Sequence, residues 1–259
     1  MTRKFNLALI TGATSGIGEA VAKLLASKGV PLLLTGRNHA KLEEMKSSLQ
    51  TKVEIIAADL SSKEDRKKVI DLIHDQKVDL LINNAGFGFY GEVVDVDTQA
   101  LLDMIELDVM AVVELTVEAA KSMVKNSQKG VILNVSSVAA FHVLPNLAVY
   151  SASKAFLNSF SRAVDFELIE KGIRVLASCP GRVATGFQSR ASGGKVKSSE
   201  GGLFMTSAFA AEEIWSQVLS ENPVRVFDWK YRLSAFMTHF IPTSWAAKIG
   251  RSFMKRDSK

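Results

Sequence analysis

Residues 7–18 read Leu7-Ala-Leu-Ile-Thr11-Gly12-Ala-Thr14-Ser15-Gly16-Ile17-Gly18. The apolar run Leu7 to Thr11 is short and halted by a glycine, the mark of a buried strand. A helical pattern follows from Glu19 to Ser27. A strand, a glycine-rich turn and a helix start together make a place for an anionic group. The first backbone N–H groups of a helix lack internal partners, and the helix dipole favours negative charge there. Glycines let the backbone turn sharply and let a pyrophosphate approach with no Cβ in the way. The spacing is G-x-x-x-G-x-G rather than G-x-G-x-x-G. No Lys-Ser/Thr pair follows the last glycine, so the turn is not a P-loop.

Outward from this turn the chain alternates. Pro31 to Thr35 reads as a second strand ending in Gly36-Arg37-Asn38, Lys41 to Gln50 as a helix, and Val53 to Ala58 as a third strand ending at Asp59-Leu60. Lys63 to Gln76 reads as a helix and Val78 to Ile82 as a fourth strand, followed by Asn83-Asn84-Ala85-Gly86. Thr98 to Lys125 carries one unbroken helical pattern with Asp108 inside it, and Gly130 to Val135 is a fifth strand running into Ser136-Ser137. After a helix reaching Lys171 come strand six, Ile173 to Ser178, then Cys179-Pro180-Gly181-Arg182-Val183-Ala-Thr185. A helix over Ala210 to Glu221 and a last strand, Val224 to Phe227, close the series. This alternation predicts an α/β chain: a three-layer α/β/α, doubly wound sheet of seven mostly parallel strands. Residues 1–228 form the core of one domain in this reading, and residues 229–259 a helical extension.

Ligands of such sheets meet the carboxyl ends of the strands. An acid after strand two would accept from a free ribose 2′-hydroxyl and repel a 2′-phosphate. Gly36 and Arg37 remove that repulsion and supply a guanidinium suited to phosphate, so NADP(H) is expected over NAD(H). Asp59 stands where a carboxylate can accept from an adenine amino group, with capping of the next helix, shared by Ser61 and Ser62, as the alternative. The amides after strand four can tie neighbouring strand ends together, while Ala85 and Gly86 leave room for a flat ring. Phe87, Phe89, Val143, Leu144 and Phe187 are candidate walls of an apolar pocket, and Tyr90 shares their loop. His142 reads as a pocket-lining or packed residue, since nothing pairs it with a nucleophile. The Gly/Ser/Lys-rich stretch Phe187 to Ser207 reads as a mobile lid.

Tyr150-Ser-Ala-Ser-Lys154 opens the helix after strand five. Tyr and Lys four apart on a helix lie one turn above the other on one face. A lysine cation a few ångströms from a phenol favours the phenolate and is expected to lower its pKa. A phenol tuned in this way exchanges a proton with an alcohol or ketone oxygen near neutral pH.

Bulk properties fit a single globular enzyme. The 259 residues are 47% apolar and 23% charged, with a modest net charge of +5 and Lys and Arg scattered through most of the chain. That charge reads as solubility rather than nucleic-acid binding. One cysteine, Cys179, excludes an intrachain disulfide and an all-Cys metal site, and no metal is expected. Met1 to Lys4 lead straight into the first strand with no apolar signal region, and no apolar run reaches the ~20 residues of a spanning helix, so a cytoplasmic location is expected. The tail from Trp229 interleaves aromatic and basic residues, with Pro242 dividing two helical pieces. Packing or a subunit contact is the first reading of it, and peripheral contact with a membrane interface the second. Phe156, Phe160 and Val164 on the Tyr150 helix suggest a homodimer or homotetramer.

Taken in order, T-G-x-x-x-G-I-G, the Asp59-Leu60 pair, N-N-A-G, a Ser thirteen residues before the Tyr, Y-x-x-x-K and P-G-x-V-x-T resemble the short-chain dehydrogenase/reductase family. The resemblance covers roughly Asn6 to Phe227. It implies a Rossmann fold and hydride transfer between NADP(H) and a small-molecule carbonyl or alcohol. Tyr150 would be the general acid in reduction, Lys154 would lower its pKa and hold the nicotinamide ribose, and Ser137 would orient the substrate oxygen. Gly12, Thr14, Ser15, Gly16, Ile17 and Gly18 would surround the pyrophosphate, Arg37 the 2′-phosphate, Asp59 and Leu60 the adenine. Asn84, Ala85 and Gly86 would meet the ribose, and Pro180, Gly181, Val183 and Thr185 the nicotinamide amide. One position departs from the family: Asp108 aligns with an Asn that supports the proton relay to the lysine. This departure implies an altered pH profile, or, as the alternative function, an NADP(H)-binding regulatory or partner protein with impaired turnover.

Overall fold

The computed structural model describes residues 3–187, 191, 204–238, 240 and 245. Most of the expected lid and the second helical piece of the tail lie outside the described residues. In chain order the elements are β1 (Ala8–Thr11), α1 (Gly16–Ser27), β2 (Leu32–Gly36), α2 (His39–Ser48), β3 (Val53–Ala57), α3 (Lys63–Gln76) and β4 (Leu80–Asn83). There follow α4 (Thr98–Ile105), α5 (Ala111–Lys125), β5 (Gly130–Val135), α6 (Ala148–Leu168), β6 (Ile173–Cys179), α7 (Ser207–Ser220), β7 (Val224–Val226) and α8 (Trp229–Met237).

The seven strands form one sheet in the order β3-β2-β1-β4-β5-β6-β7, and every neighbouring pair is parallel. Because side chains alternate across a strand, each strand feeds two cores. Ile10, Leu34, Ile82 and Leu133 face one core with Val21 and Leu25 of α1 and Ile214 of α7. Leu9, Leu33, Leu81 and Ile132 face the other, with Val69 of α3 and Leu115 of α5. Burial on both faces explains why β1, β2, β4 and β5 read as mostly apolar runs rather than alternating ones, whereas the edge strands β3 and β7 are half-exposed.

Strand order reverses between β1 and β4. Connections leave these two carboxyl ends in opposite directions, and a crevice opens between them. The crevice is laced by hydrogen bonds. The Thr11 hydroxyl accepts from the Asn84 and Ala85 N–H groups at 2.9 Å each, and the Asn84 amide donates back to the Thr11 and Gly12 carbonyls at 3.0 and 3.2 Å.

Two elements differ from the sequence expectation. The long helix over Thr98 to Lys125 is broken by a π-helical segment, Glu106–Met110, between α4 and α5. Helix α6 starts at Ala148, so Tyr150 lies inside its first turn, and its end passes into a 3-10 turn, Ile169–Lys171. On α6, Phe156 is exposed and stacks on Phe160 at 5.7 Å, whereas Val164 packs inward against the second core.

Candidate active site

Helix α6 is fixed to the end of β5 by polar contacts. The Ser136 hydroxyl donates to the Lys154 carbonyl at 2.9 Å, and the Lys154 ammonium donates to the Val135 carbonyl at 3.3 Å. Deeper in, Asn83 donates to Asn134 at 2.8 Å and to Thr116 at 3.2 Å, and Asn134 donates to Ser161 at 2.9 Å. This buried ladder ties β4, α5, β5 and α6 together beneath the site. Buried amides cost stability unless paired, and here each bond sets the position of one element against the next.

On that base three sequence-predicted groups converge. The Lys154 ammonium lies 5.6 Å from the centre of the Tyr150 ring, and 3.1 Å from Asp108 Oδ2. Asp108 belongs to the π segment and is fully buried. Its Oδ1 accepts from the Phe87 N–H at 3.0 Å. Its Oδ2 meets Lys154 as an ion pair at an angle outside hydrogen-bond geometry, and has no other partner. Gly86 closes this cluster: a Cβ there would sit 2.9 Å from Asp108 Oδ1 and 3.3 Å from the Lys154 ammonium. Ser137, at the end of β5, is buried and caps the 3-10 turn Val138–Phe141 by accepting from the Ala139 N–H at 3.1 Å. Its hydroxyl lies close enough to the Tyr150 phenol to pull that group's pKa down.

The electrostatics correct the expectation of a lowered phenol pKa. Burial pushes Tyr150 above its ordinary value; the Lys154 cation and the nearby Ser137 hydroxyl oppose this, but the negative Asp108 joins burial, and the phenol ends up raised. Burial likewise pushes the Asp108 carboxyl up, against the pull of Lys154. For Lys154, burial works against the charge, yet Asp108 and Tyr150 outweigh it and its pKa is raised. A compensated ammonium has little field left to act on its phenol neighbour. Cys179, close by, is an unreactive thiol, pushed up to about 12 by burial.

The residues at the switch point fit a dinucleotide. Gly12 and Gly16 have φ of 64° and 58°, the left-handed region that glycine adopts without strain. A Cβ on Gly18 would lie 2.4 Å from the Gly12 carbonyl oxygen, so only glycine lets α1 start this close to the turn. The N-caps of α2, α3, α4, α7 and α8 (Asn38, Ser62, Asp97, Thr206 and Asp228) all accept a backbone N–H with their side chains. Ser15 does not cap α1, which leaves that helix start open to an anion. Thr14 lies against Gly36, and Thr185 against Gly16, where added Cβ atoms would come within 3.0 Å of their methyls. Pro180 accepts from the Val138 N–H at 2.9 Å, Val183 bridges to Met205, and Gly181 faces the ring of Tyr231. Arg37 is 74% exposed, with its guanidinium 3.8 Å from Asp59 Oδ2. The other Asp59 oxygen accepts from the Ser61 N–H and hydroxyl at 3.0 and 2.7 Å, while Ser62 is the cap of α3.

Beside Tyr150 lies a cavity of about 300 Å³, lined mainly by Phe89, Val93, Val96, Leu101, Met104 and Pro145. Of the predicted pocket walls Phe89 lines it, and Phe187 instead packs on the Tyr150 ring at 5.5 Å. Phe87 stacks edge-on against Phe89, and neither it, Val143 nor Leu144 lines the cavity. His142 is half-buried and approaches Ser234 of α8 at 3.4 Å, a packing role as expected.

The sequence pattern of the short chain dehydrogenases matches residues 6–195. The chain belongs to this family. It is 32% identical over 185 residues to an uncharacterized oxidoreductase of Staphylococcus saprophyticus, covering 69% of this chain and 79% of that one. Over 187 residues it is 35% identical to the very-long-chain 3-oxoacyl-CoA reductase-B of Danio rerio, covering 69% of this chain and 60% of that protein. The structure of a short-chain dehydrogenase from Sphingobium yanoikuyae in complex with NADPH superposes with a TM-score of 0.81 at 26% identity, covering 91% and 93% of the two chains. The chain is thus an oxidoreductase of a family that acts on CH–OH and C=O groups with a nicotinamide cofactor.

In this short-chain dehydrogenase the sequence reading missed two structural groups. One is the extension of the expected strand-end tie: Asn83 and Asn84 join β4 to β5 and β1 as read, but the ladder's continuation through Thr116 and Ser161, hydroxyls within helix patterns, was not read. The other is Arg66, which is fully buried. It donates to the Leu60 and Ser61 carbonyls at 2.9 and 3.2 Å, and pairs with Glu106 at 3.3 Å and Glu114 at 2.8 Å. It therefore joins the Asp59-Leu60 loop to the π segment that carries Asp108. A cation inside a charged helix pattern was the available signal, and it reads the same as a solvated one.

Proposed function

We propose that this enzyme is an NADPH-dependent reductase of a hydrophobic ketone or aldehyde. The observation that carries the reading is the meeting of Ser137, Tyr150 and Lys154 beside an apolar cavity of about 300 Å³. Ser137 holds the carbonyl oxygen toward the phenol, and Tyr150 gives that oxygen its proton. Lys154, anchored by Val135 and Asp108, holds the nicotinamide ribose hydroxyls and returns the phenol to its protonated state. The nicotinamide, when bound, supplies the hydride. Gly12 to Gly18 cradle the pyrophosphate, Asp59 and Leu60 border the adenine, and Asn84 to Gly86 the ribose. Pro180, Gly181, Val183 and Thr185 shape the amide site. Arg37, exposed and only loosely engaged by Asp59, takes the 2′-phosphate, which favours NADPH over NADH.

The aliphatic lining supports a substrate with an apolar chain, and so does likeness to a reductase named for very-long-chain 3-oxoacyl-CoA. The exposed Phe156 on α6, stacked on the half-buried Phe160, supports a homo-oligomer contact. The test is absorbance-followed cofactor consumption against a panel of aliphatic ketones, aldehydes and 3-oxoacyl thioesters. The expected result is turnover that rises with apolar chain length and is faster with NADPH than with NADH. Tight NADPH binding with no turnover on any carbonyl would overturn the proposal.

A further inference from the structure

The charge of the chain is divided unevenly. Of its 32 Lys and Arg and 27 Asp and Glu, seven basic residues and a single acid fall in residues 229–259. The body of 228 residues therefore has a net charge of −1, and the tail +6. In sequence, that excess positive charge falls in the same stretch as four exposed aromatic residues, Trp229, Phe236, Phe240 and Trp245.

Helix α8 begins that tail. Its inner side packs on the body: Ala235 is 6% exposed, the Tyr231 ring lies against Gly181, and the Tyr231 hydroxyl accepts from the Arg182 N–H at 3.3 Å. The outer side is apolar and open. Trp229 is 66%, Leu233 53% and Phe236 59% exposed, and Phe240, beyond the helix, 68%. At about 100° per residue these positions, with Met237, share one arc roughly 100° wide, opposite Tyr231 and Ala235. Lys230 and Arg232 fall on its two edges. No helix among the described residues is long and apolar enough to cross a membrane. An aromatic and aliphatic stripe bordered by basic residues is instead the pattern of a helix lying in a bilayer surface, rings at the headgroup level and cations on the lipid phosphates.

We infer that the outer face of α8 docks this enzyme on an anionic phospholipid surface. Charge separates this occupant from the others. A second copy seated through the same face would bring two tails of +6 together at short range. A nucleic acid would use the cations but leave Leu233 and Met237 against a charged backbone. The helix also reaches the catalytic end of the sheet, through Gly181 and through Ser234 on His142. Docking there sets the site at the level of the headgroups, where an apolar carbonyl compound dissolved in the bilayer is within reach.

The test is co-sedimentation of the full chain, without substrate, with vesicles of phosphatidylcholine alone or mixed with phosphatidylglycerol. The wild-type protein is expected to pellet with the mixed vesicles, not with phosphatidylcholine alone, and to be released by salt. Lys230→Glu with Arg232→Glu, and separately Trp229→Ser with Leu233→Ser, should each reduce the bound fraction about tenfold or more. NADPH binding by both variants should be unchanged, which shows that they fold. Wild-type protein that stays in solution with mixed vesicles, or variants that pellet as well as wild type, would overturn the inference. An oligomer in sedimentation equilibrium that the Trp229→Ser, Leu233→Ser variant dissociates would overturn it too, in favour of a subunit contact. None of these readouts depends on turnover, so the reductase assignment stands or falls separately.

Discussion

Asp108 is where this chain's chemistry turns on one side chain. An amide at this position would leave Lys154 the only formal charge facing Tyr150. The carboxylate compensates that charge at 3.1 Å, and the phenol stays above its ordinary pKa. Reduction needs the phenol protonated, so a raised pKa extends activity to higher pH; oxidation needs the phenolate, so its onset is delayed to higher pH as well. Asp108→Asn keeps an oxygen for the Phe87 N–H and removes the charge. The phenol pKa then falls, and both the alkaline limb of reduction and the acid limb of oxidation should move to lower pH in pH–rate profiles. Unmoved limbs would show that Asp108 does not set the phenol. At the other end of the cofactor, Arg37→Glu should raise KM for NADPH about tenfold or more and lower the preference over NADH, because it places a like charge against the 2′-phosphate. Equal KM values for NADPH before and after the change would remove Arg37 from that role.

The elements were legible to different degrees, for physical reasons. Strands buried on both faces produce apolar runs that glycines and polar residues punctuate, and all seven could be placed. Lys63–Gln76 was readable to the residue because Ser62 caps it and its polar face is unambiguous. The π segment was not, since the apolar rhythm of Thr98 to Lys125 continues across Glu106–Met110. The pairing of Lys154 with Asp108 was readable only through the family resemblance, which sets Asp108 at the relay position beside the lysine; spacing along a sequence does not say which distant side chain faces another. Val93, Leu101 and Met104 were passed over as pocket walls since aliphatic residues carry no functional mark. Elements also define two stability tests. Asn134→Ala removes the centre of the buried ladder, leaving Asn83 only its bond to Thr116 and taking the Asn134 donor from Ser161. It should cost about 1–3 kcal/mol, a fall of several degrees in melting temperature. Gly18→Ala drives a Cβ into the Gly12 carbonyl, so it should weaken NADPH binding in a fluorescence titration much more than it alters the rest of the fold. Wild-type affinity in that variant would detach the turn from the cofactor.

Across the whole molecule the doubly wound order brings together residues far apart in the chain. Thr11, Asn84, Ser137, Tyr150 and Thr185 all lie at or near the carboxyl ends of the strands, around the point where the order reverses. The scaffold below is rigid, held by two cores and the amide ladder, and the cavity sits above it between the loop after β4 and the start of α6. In the proposed reaction the Tyr150 hydroxyl delivers the proton for carbonyl reduction. Tyr150→Phe keeps the ring packed on Phe187 and removes only that group. The most direct measurement is therefore steady-state NADPH consumption by wild type and Tyr150→Phe on the same carbonyl substrate, alongside NADPH titrations of both. NADPH affinity close to wild type, with turnover reduced by about 10²–10⁴-fold, is the result this account predicts. Turnover by Tyr150→Phe within a few-fold of wild type would contradict it.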